Sequence, residues 1–89
     1  MIRVVVAEDS LTVRELLVEI LDSDPEITVV GQAKNGAEAV ELAARLKPDL
    51  ITMDVHMPIM DGYEATKEIM VQAPIPIITQ SACRRTSGS

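Results

Sequence analysis

Hydrophobic and polar positions along the chain follow two alternating periods. Short, nearly continuous runs of apolar residues occur four times, as expected of strands buried on both faces of a parallel sheet. These runs are Ile2–Ala7, Ile27–Ala33, Leu50–Asp54 and Ile75–Gln80. Between them apolar residues recur every three or four positions, which is typical of amphipathic helices. The pattern predicts the order β-α-β-α-β-α-β.

The first predicted helix covers Leu11–Leu21 and is stopped before Pro25. Its apolar stripe is expected to face the sheet and consists of Val13, Leu16, Leu17, Ile20 and Leu21. The second helix covers Ala37–Leu46, and Asn35 with Glu38 three residues later resembles an N-cap arrangement.

The third predicted helix follows a loop over Val55–Asp61 that contains a proline and an Asp-Gly step. Asp61 and Glu64 can cap its start, and the helix runs to about Ala73. Its inward face is predicted to carry Tyr63, Thr66, Ile69, Met70 and Ala73.

Short connections between alternating strands and helices favour an α/β fold with a parallel sheet and right-handed crossovers. Such open sheets bind ligands beyond the carboxyl ends of their strands, where the strand order reverses. If the sheet has the flavodoxin-like order, which begins 2-1-3-4, the reversal falls between the first and third strands.

Three carboxylates would then meet at one edge of the sheet. Glu8 and Asp9 follow the first strand, and Asp54 ends the third. Like charges this close repel each other unless a cation lies between them, and Mg²⁺ prefers such oxygen ligands. The pattern alone leaves open a metal-binding module, a phosphoacceptor, or acids that are simply solvated in loops.

Composition narrows the class of protein. The 89 residues predict one domain, and 47% are apolar with Tyr63 as the only aromatic, so the core must be aliphatic. A net charge of −6 argues against a nucleic-acid partner. One cysteine, Cys83, and the lack of any membrane-length apolar run predict a cytoplasmic protein without membrane contact.

The segments VVVAEDS, VVGQAKNGAEAVELAARLKPDLITMDVHMPIMDGYEA and PIPIITQSA resemble the receiver domain of two-component response regulators. They look most like the receivers attached to chemotaxis protein-glutamate methylesterases. The resemblance covers Ile2 to Ala82, so we expect a receiver domain over residues 1–82 and a disordered tail over 83–89.

The resemblance implies a role for each site residue. Asp54 would take a phosphoryl group from a phosphohistidine of a sensor histidine kinase. Asp9 and Asp54 would bind Mg²⁺ directly, Glu8 through water, and His56 through its main-chain carbonyl. Ser81 would supply the hydroxyl that turns toward the phosphoryl group.

A full receiver continues beyond the position of Ala82 with a fifth strand, which begins with a lysine, and two more helices. The methylesterase domain is also absent from these 89 residues, so no enzyme activity is expected beyond self-promoted phosphorylation. By analogy with one lost oxyanion donor, absence of the lysine would cost ~2.7–4 kcal/mol and slow the transfer. A truncated, proteolysed or frameshifted piece of a longer regulator is favoured at least as much as a natural short protein.

Without the last helix, the first-helix face and the edge of the fourth strand would be bare and would favour a homodimer. The leading function is therefore phosphoryl acceptance in a chemotaxis-type system. The alternative is a non-catalytic dimerisation or docking module derived from a receiver.

Overall fold

The computed structural model describes residues 1–72 and 74–80. The elements in chain order are β1 (Ile2–Ala7), α1 (Leu11–Asp22), β2 (Ile27–Ala33), α2 (Gly36–Leu46), β3 (Leu50–Asp54), α3 (Gly62–Gln72) and β4 (Ile77–Gln80). The predicted order of elements is confirmed. No helix in this part of the chain is both long and apolar enough to cross a membrane.

The fourth strand begins two residues later than predicted. The main-chain oxygen of Pro76 accepts a hydrogen bond from the Ile51 amide at 3.0 Å. Pro76 has no N–H to donate in return, and the strand therefore starts at Ile77.

The four strands form one parallel sheet in the order β2-β1-β3-β4, as predicted. Ala7 at the end of β1 lies opposite Met53 in β3, and Asp54 lies opposite Gln80 in β4. The residues that follow β1 and those that end β3 and β4 therefore share one edge of the sheet. This register gives the chain its acidic edge.

The core is aliphatic, as the composition requires. Residues 4–7 of the central strand β1 are fully buried. Ile51 and Met53 of β3 pack with small residues of α2 and α3, namely Ala39, Ala43 and Ala65. Alanine at these positions lets both helices lie close to the sheet.

The inward face of α3 is confirmed only in part, because Ile69 is buried and Thr66 half-buried as predicted, whereas two other predicted residues point outward. Ala65 and Ile69 are buried, whereas Tyr63 is 68% exposed and Met70 is also exposed. The helix starts at Gly62, where a Cβ would lie only 2.6 Å from the Asp54 main-chain oxygen. Because the Gly62 face must contact β3, the larger side chains one position along point outward.

The stripe predicted for α1 is only partly confirmed. Val13, Leu17 and Leu21 are half-buried, whereas Leu16 and Ile20 are exposed. This helix packs against β2 and β1, and within the described residues no other helix lies beside it on that face of the sheet. The exposed residues therefore form an apolar surface on α1.

Candidate functional site

The three predicted carboxylates meet at the carboxyl edge of the sheet. One oxygen each from Glu8, Asp9 and Asp54 lie within 4.8 Å of one another. Glu8 is buried and Asp54 is only 2% exposed, whereas Asp9 faces solvent. The site therefore has two acidic groups withdrawn from water and one open side.

Glu8 is held in place by the start of α1. Its amide donates to the Ala33 main-chain oxygen at 2.9 Å, which extends the β1–β2 ladder by one residue. The Ser10 amide donates to Glu8 Oε2 at 3.1 Å, and Arg14 Nη1 donates to the Glu8 main-chain oxygen at 2.8 Å. Ser10 is also the N-cap of α1, so the helix start orients the carboxylate.

Asp54 is held by the loop that follows it. The His56 amide donates to Asp54 Oδ1 at 3.2 Å, and the Gly62 amide donates to the Val55 main-chain oxygen at 3.1 Å. The His56 side chain is exposed, in line with the expectation that only its main chain takes part. The carboxylate thus sits at a fixed point between β3 and α3.

A second contact fixes the other end of this loop. The Gly36 amide donates to the Met60 main-chain oxygen at 2.8 Å. A Cβ on Gly36 would lie 2.1 Å from that oxygen, so only glycine fits. The sequence did not indicate this role, because the N-cap pattern of Asn35 and Glu38 shows where α2 begins but not what its first residue contacts.

The loop also contains a strained turn that the sequence did not indicate. Ile59 has a φ of 69°, and the Met60 amide donates to the Pro58 main-chain oxygen at 2.7 Å across it. A hydrogen bond between residues two apart with positive φ defines the rarer and strained form of the γ-turn. A β-branched residue is an outlier in this region of backbone space.

Electrostatics at the site favour a cation. Burial raises the pKa of Glu8 from 4.5 to about 7, and the charges of Asp54 and Asp9 add to this effect, while the Ser10 amide opposes it. Within the described residues, no lysine or arginine side chain pairs with any of the three carboxylates. Hard oxygen ligands without a balancing cation match the donor set that Mg²⁺ prefers.

The raised pKa of Glu8 predicts how stability depends on pH in the absence of metal. Between pH 4.5 and about 7 the folded chain keeps a proton that the unfolded chain has released. The free energy of unfolding should therefore fall as pH rises through this window, by at most ~1.4 kcal/mol per pH unit. Urea titrations in EDTA would measure it, and Glu8→Gln should flatten the slope.

Saturating Mg²⁺ should weaken or reverse the fall in the free energy of unfolding with rising pH, because a cation favours the ionised carboxylate. A stability that rises with pH in EDTA would contradict the assignment of this proton to Glu8.

Ser81 lies outside the described residues, as do the predicted tail over 83–89 and Ala73. The register places Gln80 opposite Asp54. The role of Ser81 and the boundary after residue 82 therefore stay predictions.

Comparison with known proteins identifies the family to which the chain belongs. The family model "Response regulator receiver domain" matches residues 4–87. The chain is 59% identical over 80 residues to "Protein-glutamate methylesterase/protein-glutamine glutaminase 4" of Myxococcus xanthus. The match covers 90% of this chain and 23% of that relative, so the chain spans about a quarter of the relative's length.

Solved structures share the fold. The response regulator domain of Thermotoga maritima CheB has a TM-score of 0.91 and 48% identity, and the match covers 100% of this chain and 66% of that one. A chain of the CheX-CheY-BeF3-Mg²⁺ complex from Borrelia burgdorferi has a TM-score of 0.85 and 28% identity. That match covers 91% of this chain and 62% of the Borrelia chain.

Proposed function

Because the chain belongs to the response regulator receiver family, we propose that it accepts a phosphoryl group on Asp54 from a phosphohistidine of a sensor histidine kinase. The observation that carries the proposal is the buried Asp54 carboxylate within 4.8 Å of two further carboxylates. Phosphoryl transfer needs positioning and charge neutralisation more than covalent chemistry from the protein. A fixed carboxylate beside a cation site meets both needs.

In the proposed reaction, an Asp54 carboxylate oxygen forms a bond to phosphorus while the phosphorus–nitrogen bond of the phosphohistidine breaks. The imidazole nitrogen keeps the electron pair of that bond. The product is an aspartyl phosphate, an established intermediate of carboxylate nucleophiles. The His56 amide, which donates to Asp54 Oδ1, holds the carboxylate in place for the approach.

Asp9 and Asp54 would bind Mg²⁺ directly, Glu8 through water, and His56 through its main-chain oxygen. When bound, Mg²⁺ would neutralise negative charge on the phosphoryl oxygens. The complex that contains the similar Borrelia chain holds Mg²⁺ together with BeF3, a phosphoryl mimic, which supports the same ligand chemistry in this chain. Ser81 would offer its hydroxyl to the phosphoryl group.

Incubation of the purified chain with phosphoramidate, a small donor with a phosphorus–nitrogen bond, tests the proposal. We expect a Mg²⁺-dependent mass gain of one phosphoryl group, suppressed by EDTA and mapped to the peptide that contains Asp54. A mass gain on another residue, or equal labelling in EDTA, would refute it.

The proposal also bears on the cellular location of the chain and on its enzyme activity. A cytoplasmic location is supported by the single cysteine and by the proposed kinase partner. The methylesterase activity in the names of the relatives is not assigned to this chain, because the matched region is the receiver portion alone. The comparisons lend no support to the alternative of a non-catalytic module.

We also propose that two copies of the chain associate through α1 and β4. Leu16 and Ile20 of α1 are exposed, as is Ile78 of β4. In the described part of the sheet β4 has no strand on its outer side, and it carries no charged residue. An uncharged edge strand together with an apolar surface favours pairing with another chain.

Association predicts a concentration-dependent mass in sedimentation equilibrium. Ile78→Lys should shift the protein toward monomer, since a lysine on an edge strand opposes pairing. Val71→Lys is the matched control, because Val71 is 86% exposed but lies at the end of α3. A wild-type chain that stays monomeric at high concentration would rule the dimer out.

A further inference from the structure

Arg14 joins the first turn of α1 to the acidic edge of the sheet. Its Nη1 donates to the Glu8 main-chain oxygen at 2.8 Å, and its Nε donates to Gln32 Oε1 at 3.3 Å. The side chain is half-buried and forms no ion pair with any described residue. Both contacts are to neutral oxygens, so Arg14 does not act as a charge partner of the carboxylates.

The oxygen that Arg14 binds belongs to the peptide unit between two of the three carboxylates. Glu8 precedes this unit and Asp9 follows it. Because the unit is planar, its orientation sets the directions in which both side chains leave the main chain. Among the described residues, no second donor reaches the Glu8 main-chain oxygen, and the Asp9 amide donates to no acceptor. Arg14 therefore supplies the hydrogen bond that fixes this plane.

Asp9 depends on this bond more than Glu8 does. The Glu8 carboxylate has a restraint of its own, because the Ser10 amide donates to its Oε2 at 3.1 Å. The Asp9 side chain is exposed and accepts no hydrogen bond from the described part of the chain. The direction of the Asp9 carboxylate is therefore set by the main chain that Arg14 holds.

The guanidinium of Arg14 is itself held by two elements. The Arg14 amide donates to the main-chain oxygen of Ser10, the N-cap of α1, at 2.8 Å. Gln32 lies in β2, the neighbour of β1 in the sheet. A planar guanidinium can hold two oxygens at fixed angles, whereas the ammonium of lysine is a point charge on a flexible stem. The end of β1 is thus positioned from α1 and from β2 at once.

We propose that Arg14 is a positioning residue for Mg²⁺, which acts through the Glu8 main-chain oxygen to direct Glu8 and Asp9 toward one cation. The inference rests on the proposed function, in which these carboxylates bind Mg²⁺. It adds a residue that contacts neither the metal nor the phosphoryl group. Hydrogen bonds that orient metal ligands typically contribute about ten- to a hundredfold in metal affinity.

The charge of Arg14 would have the opposite effect on the metal. A guanidinium near the site repels a divalent cation, so removal of the charge alone would tighten Mg²⁺ binding. Loss of the hydrogen bond to the Glu8 main chain would weaken it. The sign of the change in affinity therefore separates positioning from charge.

The test is a titration with Mg²⁺ alone, followed through the amide NMR resonances of Asp9 and Asp54. Arg14→Met keeps an unbranched side chain of good helix propensity and removes both donors. We expect its dissociation constant for Mg²⁺ to rise by about tenfold or more. Arg45→Met is the matched control, because Arg45 pairs with Glu41 on the exposed surface of α2, and it should change the constant by less than about twofold.

Two further variants test the path through which Arg14 acts. Gln32→Met changes no charge and should weaken Mg²⁺ binding by about twofold, with no additional effect in Arg14→Met. Arg14→Lys retains the charge and one donor, and should bind Mg²⁺ more tightly than Arg14→Met. A role through charge alone predicts the reverse order for these two Arg14 variants.

The rate of labelling by phosphoramidate distinguishes lost affinity from lost structure. At saturating Mg²⁺ the rate of Arg14→Met should return to within about twofold of the wild-type rate, because Asp54 keeps its bond from the His56 amide. A merely structural role would leave the rate low at every Mg²⁺ concentration.

The contrary outcomes separate this inference from the proposed function. Wild-type or tighter Mg²⁺ binding by Arg14→Met, or a rate that stays low at saturating Mg²⁺, would overturn the positioning role and leave acceptance on Asp54 intact. If Arg14→Met does not fold, Gln32→Met decides, and wild-type affinity in that variant would overturn the role. A wild-type chain whose Asp9 and Asp54 resonances do not respond to Mg²⁺ would overturn the proposed metal site and this inference with it.

Discussion

Asp54→Asn is expected to abolish phosphorylation, with a loss of at least ~10³-fold in rate from any donor. An amide oxygen cannot act as the nucleophile, and no other carboxylate in the described residues is both buried and held by the β3–α3 loop. Labelling by phosphoramidate in Mg²⁺ would measure the loss. Asparagine can keep the bond from the His56 amide, so the local backbone should be unchanged.

The same substitution should stabilise the metal-free protein at pH 8. That pH lies above the Glu8 pKa of about 7, and one oxygen each from Glu8, Asp9 and Asp54 lies within 4.8 Å of the others. Removing one charge should raise the free energy of unfolding by about 1–3 kcal/mol, the repulsion expected at this separation in a medium of intermediate dielectric. Added Mg²⁺ should then stabilise the variant less than the wild type.

Asp24→Asn is the matched control for both measurements. Asp24 precedes β2 at the opposite edge of the sheet, and its side chain accepts from the Glu26 amide at 2.9 Å, as asparagine also can. It should change neither labelling nor the effect of Mg²⁺. An Asp54→Asn protein that is less stable than the wild type in EDTA would show that repulsion between the carboxylates does not destabilise the fold.

The fold and the acidic cluster could be predicted from sequence because each depends on local pattern and sheet register alone. Buried β-branched runs indicated the strands, and parallel order then brings the ends of β1 and β3 to one edge. No side-chain detail is needed to place Asp54 beside Glu8. The same reasoning correctly anticipated the Asn35 cap of α2, whose side chain accepts from the Glu38 amide at 2.8 Å.

The inward face of α3 could not be predicted from hydrophobicity. Tyr63 and Met70 are the larger apolar residues, yet the helix turns Gly62 and Ala65 toward the sheet because its first turn touches the Asp54 main chain. Close backbone approach selects small residues, which contribute little to a hydrophobicity pattern. The stripe on α1 was confirmed only in part, since Leu16 and Ile20 are apolar but lie on a face that nothing in the described chain covers.

The contacts of the β3–α3 loop also could not be predicted from the sequence. The strain at Ile59 depends on φ, and isoleucine is among the last residues expected at a positive value. The sequence pattern placed Gly36 between the Asn35 cap and a helix start at Ala37 and gave no sign that its amide holds Met60. Both features arise from the meeting of segments that are distant along the chain.

Gly36→Ala is expected to lower the free energy of unfolding by about 3 kcal/mol or more, at the upper end of overpacking costs. The new Cβ would lie 2.1 Å from the Met60 main-chain oxygen and 2.8 Å from its carbonyl carbon. Because the contact is with backbone, relief requires α2 or the loop to move, which also breaks the bond from the Gly36 amide. Helix propensity alone would favour alanine, so the sign of the effect tests the contact.

Gly31→Ala provides the comparison within the same chain. A Cβ there would meet Leu46 Cδ1 at 2.9 Å and Leu42 Cδ1 at 3.4 Å, both ends of flexible side chains. Its cost should stay within about 1 kcal/mol, partly offset by the lower backbone entropy of alanine in a strand. Urea unfolding of both variants measures the difference.

The Gly36→Ala variant should also slow labelling of Asp54 by phosphoramidate under conditions where it remains folded. The Met60 contact fixes one end of the loop, and the other end orients the carboxylate through the His56 amide. A shift of that loop therefore moves the nucleophile, and a small displacement of a reacting group costs rate steeply. If Gly36→Ala and Gly31→Ala proved equally stable and equally reactive, the loop would not depend on the Gly36 contact.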